Sequence, residues 1–220
     1  MTLLADLGPV AQLRAGRLSR RVPQLLVGLG LYGVSLGMMV RGGLGLAPWD
    51  VLHSGLIRYL PLDLGQMVVA VSIVVLVLWI PLREKPGVGT IANSLLVGPS
   101  ADGTLAVLSP AHSWELRIAL TLGGIALCAL ATALYIGAQF GRGPRDGLMT
   151  GLARRTGWSI RAVRTGIELS VVVLGLLLGG SLGVGTVLFA LTIGPLTQRW
   201  MPFWTISLAA TPEPVLSSCA

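Results

Sequence analysis

The sequence predicts an all-α membrane protein of about six transmembrane helices plus two short interfacial or re-entrant helices, built as an inverted-topology internal repeat. Three observations carry that expectation: the amount of apolar sequence and its blocks, a motif that occurs twice, and the placement of the basic residues. Of 220 residues, 53% are hydrophobic and 11% charged, and the mean hydropathy is +0.80. Soluble domains carry about a quarter charged residues, so too little polar sequence remains to clothe a water-soluble surface. The apolar residues come in long blocks, and about 18 in a row suffice to cross a bilayer.

The repeat is exact in register. Gly45 to Leu56 reads G-L-A-P-W-D-V-L-H-S-G-L, and Gly141 to Leu152 reads G-R-G-P-R-D-G-L-M-T-G-L. Both copies follow G-x-x-P-x-D-x-L-x-[ST]-G-L, and Pro48 and Pro144 stand 96 positions apart. At that same separation Gly87-Val88-Gly89-Thr90 returns as Gly183-Val184-Gly185-Thr186, and Gly98-Pro99 as Gly194-Pro195. A register held across half a chain without insertion marks an internal duplication.

Taken in order, residues 1–21 form a basic arm ending in Arg14, Arg17, Arg20 and Arg21, expected beside anionic headgroups on the cytoplasmic side. The first membrane repeat covers 22–115, with a first span from about Val22 to Val40. Gly28 to Gly33 matches a dinucleotide-binding fingerprint and Gly33 to Gly37 a nucleophile elbow. Both motifs need a strand-to-helix turn that an apolar span does not provide. Glycines at this spacing instead make a smooth face for close helix packing. The motif segment, 45–60, reads as a helix of about 12 residues, roughly 18 Å, too short to cross. Pro48 suits its first position and Asp50 its first turn.

A second span runs from Leu64 to Leu82 and ends at Arg83-Glu84-Lys85-Pro86. The third starts at Gly87, and Asn93, Gly98-Pro99 and the polar run 100–103 predict a break in it. The second repeat, 116–204, has spans at about Ile118 to Phe140, Ala162 to Leu178 and Val184 to Leu196, with a short helix from Pro144 to Thr156. Trp200 and Trp204 read as interface anchors, and 205–220 as a disordered cytoplasmic tail.

The net charge of +7 does not point to nucleic acid, because the arginines flank apolar blocks and no separate basic domain exists. With both ends inside, segments 1–21, 83–86, 141–164 and 197–220 are cytoplasmic. Of the 16 basic residues, all but Arg41, Arg58 and Arg117 fall there. Three spans per repeat is an odd number, so the halves must face opposite ways. Cys128 lies in an apolar block and Cys219 in the tail, which predicts no disulfide framework. The first apolar block begins late and without a small-residue cleavage site, so no cleaved signal is expected.

The run from Gly43 to His53, the G-V-G-T-x-x-x-x-L-x-x-G-P pattern in both halves, and the stretch Ser159 to Glu168 resemble the bacterial YczE/YyaS/YitT-type membrane proteins. The resemblance spans about residues 20–200. It implies an integral protein of the bacterial plasma (inner) membrane and carries over no substrate or catalytic residue.

Candidate site residues follow from the repeat. Asp50 and Asp146 head two short helices, and inverted repeats place solute and ion sites at such positions. The competing reading makes both carboxylates first-turn charges on interfacial helices. Thr90 and Thr186, each after a glycine at a helix start, can meet an ion-bearing substrate or simply cap the helix. Asn93 and His53 are one-sided candidates, because their repeat mates are Phe189 and Met149. Arg164 and Glu168 stand four residues apart, as a snorkelling ion pair or a cytoplasmic gate. The leading functional reading is a small-solute or ion-coupled transporter. A non-transporting membrane scaffold or regulator is the alternative. Enzymatic activity is not expected: Ser35 with His53 or His112 are the sole dyad candidates, and no metal set or cofactor motif is present. The expected partners are the lipid bilayer and an unidentified small solute or ion, with no nucleic acid; the oligomeric state is open.

Overall fold

A computed structural model describes residues 8–208. Within that range the regular structure is entirely helical: α1 (Pro9–Arg14), α2 (Leu18–Gly42), α3 (Pro48–Leu56), α4 (Leu64–Leu82), α5 (Val88–Val107), α6 (Trp114–Gly137), α7 (Pro144–Thr156), α8 (Ile160–Leu177) and α9 (Val184–Trp204). The duplication fixes where the helices begin. Leu18 and Trp114, Pro48 and Pro144, Leu64 and Ile160, and Val88 and Val184 are each separated by the 96 positions of the repeat. Local chemistry explains several starts: the Ser113 and Ser159 hydroxyls accept the amides of Leu116 and Ala162, and Asp63 and Gln66 form a reciprocal cap on α4.

The repeat mates α2 and α6 form the centre and pack antiparallel. Near the α2 start, Arg21 donates to the Ala138 and Gln139 carbonyls at the end of α6, both at 2.9 Å. Near the α6 start, its mate Arg117 donates to the Gly42 and Gly43 carbonyls at the end of α2, at 3.1 and 2.9 Å. Helix α5 packs on α2 and α9 on α6, while each short helix crosses to the other repeat, α3 onto α8 and α7 onto α4. The expected smooth glycine face is used against α5. A side chain at Gly33 would stand 2.5 Å from the Val97 carbonyl, and one at Gly37 2.7 Å from Thr104. The fingerprint and elbow motifs lie wholly within helical α2. Two clusters at the centre of the core are related by the repeat: one holds Leu29 and Val97, the other their mates Ile125 and Ile193.

Several boundaries differ from expectation. No break interrupts the third span, since α5 runs continuously through Pro99. Side-chain hydroxyls support the backbone there, with Ser100 donating to the Leu96 carbonyl and Thr104 to the Ser100 carbonyl, both at 2.8 Å. Helix α9 continues past Leu196 and Arg199 to Trp204, so Trp200 and Trp204 are helical. The basic arm is partly helical, as α1, and α2 begins four residues before Val22. Helix α3 is 9 residues long. Just past α9, the Ile206 amide donates to the Gly137 carbonyl at 3.0 Å, and Gln139 donates to the Ile206 carbonyl at 2.6 Å. The rest of the expected disordered tail, from residue 209, lies outside the described residues, as do residues 1–7 of the arm.

Among the described residues, three helices are long and apolar enough to cross a membrane: α2, α4 and α6, of 25, 19 and 24 residues. Large apolar side chains are exposed in matched rows on both repeats. Ile73, Val77 and Leu78 of α4 answer to Leu169, Val173 and Leu174 of α8, and Ile91 and Leu95 of α5 to Val187 and Leu191 of α9. A soluble monomer does not leave such continuous rows in water; a bilayer covers them.

Candidate functional site

The short helices are held by contacts that also define what lies between them. The Gly89 amide donates to the Phe140 carbonyl, and the Gly185 amide to the Leu44 carbonyl, both at 2.8 Å. Each Gly-Thr pair therefore clamps the loop that leads into the other repeat's motif helix. The Thr90 hydroxyl donates to the Arg142 carbonyl at 2.6 Å and accepts from the Gly87 amide at 3.1 Å, while Thr186 accepts from the Gly183 amide at 3.4 Å. Both threonines are buried in these clamps and neither lines the cavity described next. At the other end, the Trp79 indole lies over Gly147 and donates to the Pro144 carbonyl at 3.0 Å, fixing the start of α7.

Between the repeats lies a cavity of about 220 Å³. Its walls come in repeat-related pairs: Ala47 with Gly143, Pro48 with Pro144, Trp49 with Arg145, Tyr32 with Cys128. Val68 with Arg164, Ser72 with Glu168, Asn93 with Phe189 and Val97 with Ile193 continue the series. A space bounded by both members of so many pairs lies on the relation between the halves. The chemistry is unequal. The first repeat contributes Tyr32, Trp49, Ser72 and Asn93, whereas every charged wall residue (Arg145, Asp146, Arg164 and Glu168) comes from the second. Arg164 and Gln198 are the exposed members of the wall, so the mouth lies beside α8 and α9. Val68 and Val97 close the opposite side.

The candidate residues separate into two groups. Asp146, Asn93, Arg164 and Glu168 stand on the wall. Asp50 and His53 are buried behind it, 2% and 1% exposed. His53 Nδ1 and Asp50 Oδ1 are 2.9 Å apart, and Arg145 reaches the same oxygen at 3.8 Å with its guanidinium over the Trp49 ring. His53 Nε2 and Trp49 Nε1 are buried without a hydrogen-bond partner among the described residues. Asp146 accepts from the Tyr135 hydroxyl at 2.9 Å, and Tyr135 meets Tyr32 edge to face, ring centres 6.1 Å apart. Arg164 and Glu168 pair at 2.9 Å near the mouth. Sequence reasoning missed Arg145, Tyr32 and Tyr135. The Trp49–Arg145 mismatch within an otherwise matched motif was the signal for the first; the tyrosines sit in apolar spans without a local signature.

Comparison with known proteins places this architecture. A model described as a family of unknown function, DUF6198, matches residues 19–202. The chain belongs to the DUF6198 family. That span contains every wall residue of the cavity. An uncharacterized protein of Haemophilus influenzae is 40% identical over 177 residues, 80% of this chain and 81% of that protein. The uncharacterized membrane protein YczE of Bacillus subtilis is 30% identical over 172 residues, 78% of this chain and 80% of its own. The uncharacterized protein YyaS of the same organism is 29% identical over 184 residues, 80% and 90% of the two chains. The expected resemblance to YczE and YyaS therefore holds, and with it the reading as an integral membrane protein. No solved structure matches the chain.

Proposed function

We propose that the protein is a small-solute or ion-coupled transporter of the bacterial plasma membrane, with its site in the cavity between the repeats. The observation that carries this reading is the pairing of the cavity walls across the duplication. Secondary transporters built from repeats bind at the repeat interface and move one repeat against the other. In the proposed topology all six long helices cross. Helices α5, α8 and α9, of 20, 18 and 21 residues, reach about 27–32 Å at 1.5 Å per residue, against about 30 Å of hydrocarbon. The antiparallel α2 and α6 support opposite orientations for the repeats. Both termini are placed in the cytoplasm by the distribution of basic residues, and the mouth beside Arg164 then faces the cytoplasm.

A membrane scaffold or regulator is the second reading. Asp50, Thr90 and Thr186 favour it, since their polar atoms are engaged in internal bonds. We read no catalytic role, because the Ser35 hydroxyl donates to the Tyr32 carbonyl and His53 pairs with Asp50. A melt screen of the detergent-solubilised protein against inorganic ions, amino acids, vitamins and organic cations separates the two readings. A ligand of the folded state adds RT ln(1 + [L]/Kd), about 2.7 kcal/mol at a hundredfold excess. A saturable shift for one solute class, lost in Asp146→Asn, supports the transporter. Flat melts across the panel support the scaffold.

A further inference from the structure

We infer that the cavity takes a small organic ammonium ion, bound by the Asp146 carboxylate among the rings of Tyr32, Trp49 and Tyr135; this rests on the reading of the cavity as the solute site. The argument is one of charge and symmetry. Arg164 has Glu168 at 2.9 Å, and Arg145 has Asp50 at 3.8 Å. That leaves Asp146: among the described residues no cation lies within ion-pair distance of it, its side-chain donor is the neutral Tyr135 hydroxyl, and Arg164, already paired, acts on it only from further off.

The duplication shows what is missing. Asp50 is faced by the arginine that precedes the other aspartate, Arg145. By the repeat relation Asp146 should be faced by the residue that precedes Asp50. That residue is Trp49. The second cation of a symmetric pair of ion pairs has been replaced by an aromatic ring, and the ligand supplies the charge.

Aromatic walls select the kind of cation. The Trp49 ring already carries one, the Arg145 guanidinium, 5.1 Å from its centre, within the range of a cation–π contact. Tyr32, Tyr135 and Phe189 extend the same surface around the cavity. Ammonium groups with carbon substituents are recognised by such rings beside a carboxylate. A hard metal cation asks for several oxygen ligands, carboxylates above all, and of the two wall carboxylates Glu168 is already paired with Arg164. An anion would compete for guanidinium groups that already have carboxylate partners. The volume, about 220 Å³, lies below the roughly 300 Å³ at which pockets for drug-sized ligands begin, which restricts the occupant to a small ion.

The test is a titration of the purified full chain with choline and tetramethylammonium, read by melting temperature and tryptophan fluorescence. Sodium at equal ionic strength and glycine betaine are the controls. The expected result is a saturable choline response, at least tenfold weaker in Asp146→Asn and absent with sodium. Should Asp146→Asn not fold, Asp146→Glu shifts the charge by one methylene and must weaken choline at least severalfold. Unchanged choline affinity in the variant that folds overturns the inference. So does an equal response to sodium, or to betaine, whose carboxylate would then meet the buried Trp49 Nε1. If ammonium ions fail while another solute class binds, the cavity still serves as a solute site and this inference falls alone. Failure of every class defeats both.

Discussion

Arg21 is the largest fully buried side chain among the described residues, and its position explains why. Its guanidinium collects the carbonyls of Gln12, Ala138 and Gln139 at 2.7–2.9 Å and stacks 4.2 Å from the Phe140 ring centre. A cation at a helix C-terminus also meets the negative end of the α6 dipole. Arg117 makes the equivalent pair of bonds from a half-buried site. Buried carbonyls that lose a charged donor cost about 1–3 kcal/mol each. Arg21→Ala should therefore lower stability by at least ~3 kcal/mol, and Arg117→Ala by about 1 kcal/mol. Arg21→Lys should rescue little, because an ammonium cannot fork to separated acceptors. Equal melting temperatures for the two alanine variants would contradict this ranking. Both arginines occupy matching positions in the duplication, so the sequence held the signal. Read as charges beside apolar blocks, Arg21 looked like a topology marker and Arg117 like an exception to one; the helix-end carbonyls they hold lie more than seventy residues away and leave no local trace.

At the scale of elements, each short helix is positioned by a glycine contact with the long helix it crosses. Trp79 of α4 fills the space over Gly147 of α7, and at the equivalent contact Val51 of α3 lies over Gly175 of α8. A glycine meets the neighbouring helix in both, with the roles exchanged: against a ring in the first and against backbone in the second. A side chain on Gly147 would come 2.0 Å from the Trp79 ring. Overpacking of this kind costs about 1–3 kcal/mol, and because Arg145 and Asp146 ride on the first turn of α7, displacement of that turn also deforms the cavity. Gly147→Ala should thus lower both the melting temperature and the affinity for any cavity ligand, whereas a variant with wild-type binding would show that α7 is positioned by other contacts. The helix starts were legible because the duplication and the Pro, Ser and Gly punctuation agree. Helix ends were less so. Pro99 read as a breaker, but α5 runs through it, with the Ser100 and Thr104 hydroxyls donating to carbonyls one turn back, and α9 runs on past the expected end of its span to Trp204.

The whole molecule turns on the relation between its halves. Arg21, Arg145 and Arg164 are tied into internal contacts, yet the charge bias survives their removal. Arg14, Arg17, Arg20, Arg83, Lys85, Arg142, Arg154, Arg155, Arg161 and Arg199 still share one side in the proposed topology. Two of the three exceptions have structural occupations at the opposite end of the bundle: Arg117 caps α2, and Arg41 donates to the Leu105 carbonyl. Positions 58 and 154 are repeat mates, Arg58 just past α3 and Arg154 in the last turn of α7, and both are exposed. If the repeats were parallel copies, the two positions would lie on one side of the membrane. In the inverted arrangement they lie on opposite sides. With Cys219 replaced by Ser and Cys128 buried, single cysteines at 58 and 154 in intact cells should divide accordingly. A membrane-impermeant maleimide should label position 58 from outside, and position 154 only after permeabilisation. Labelling of both from the same side would remove the inverted topology, and with it the symmetry argument that assigns Asp146 a ligand.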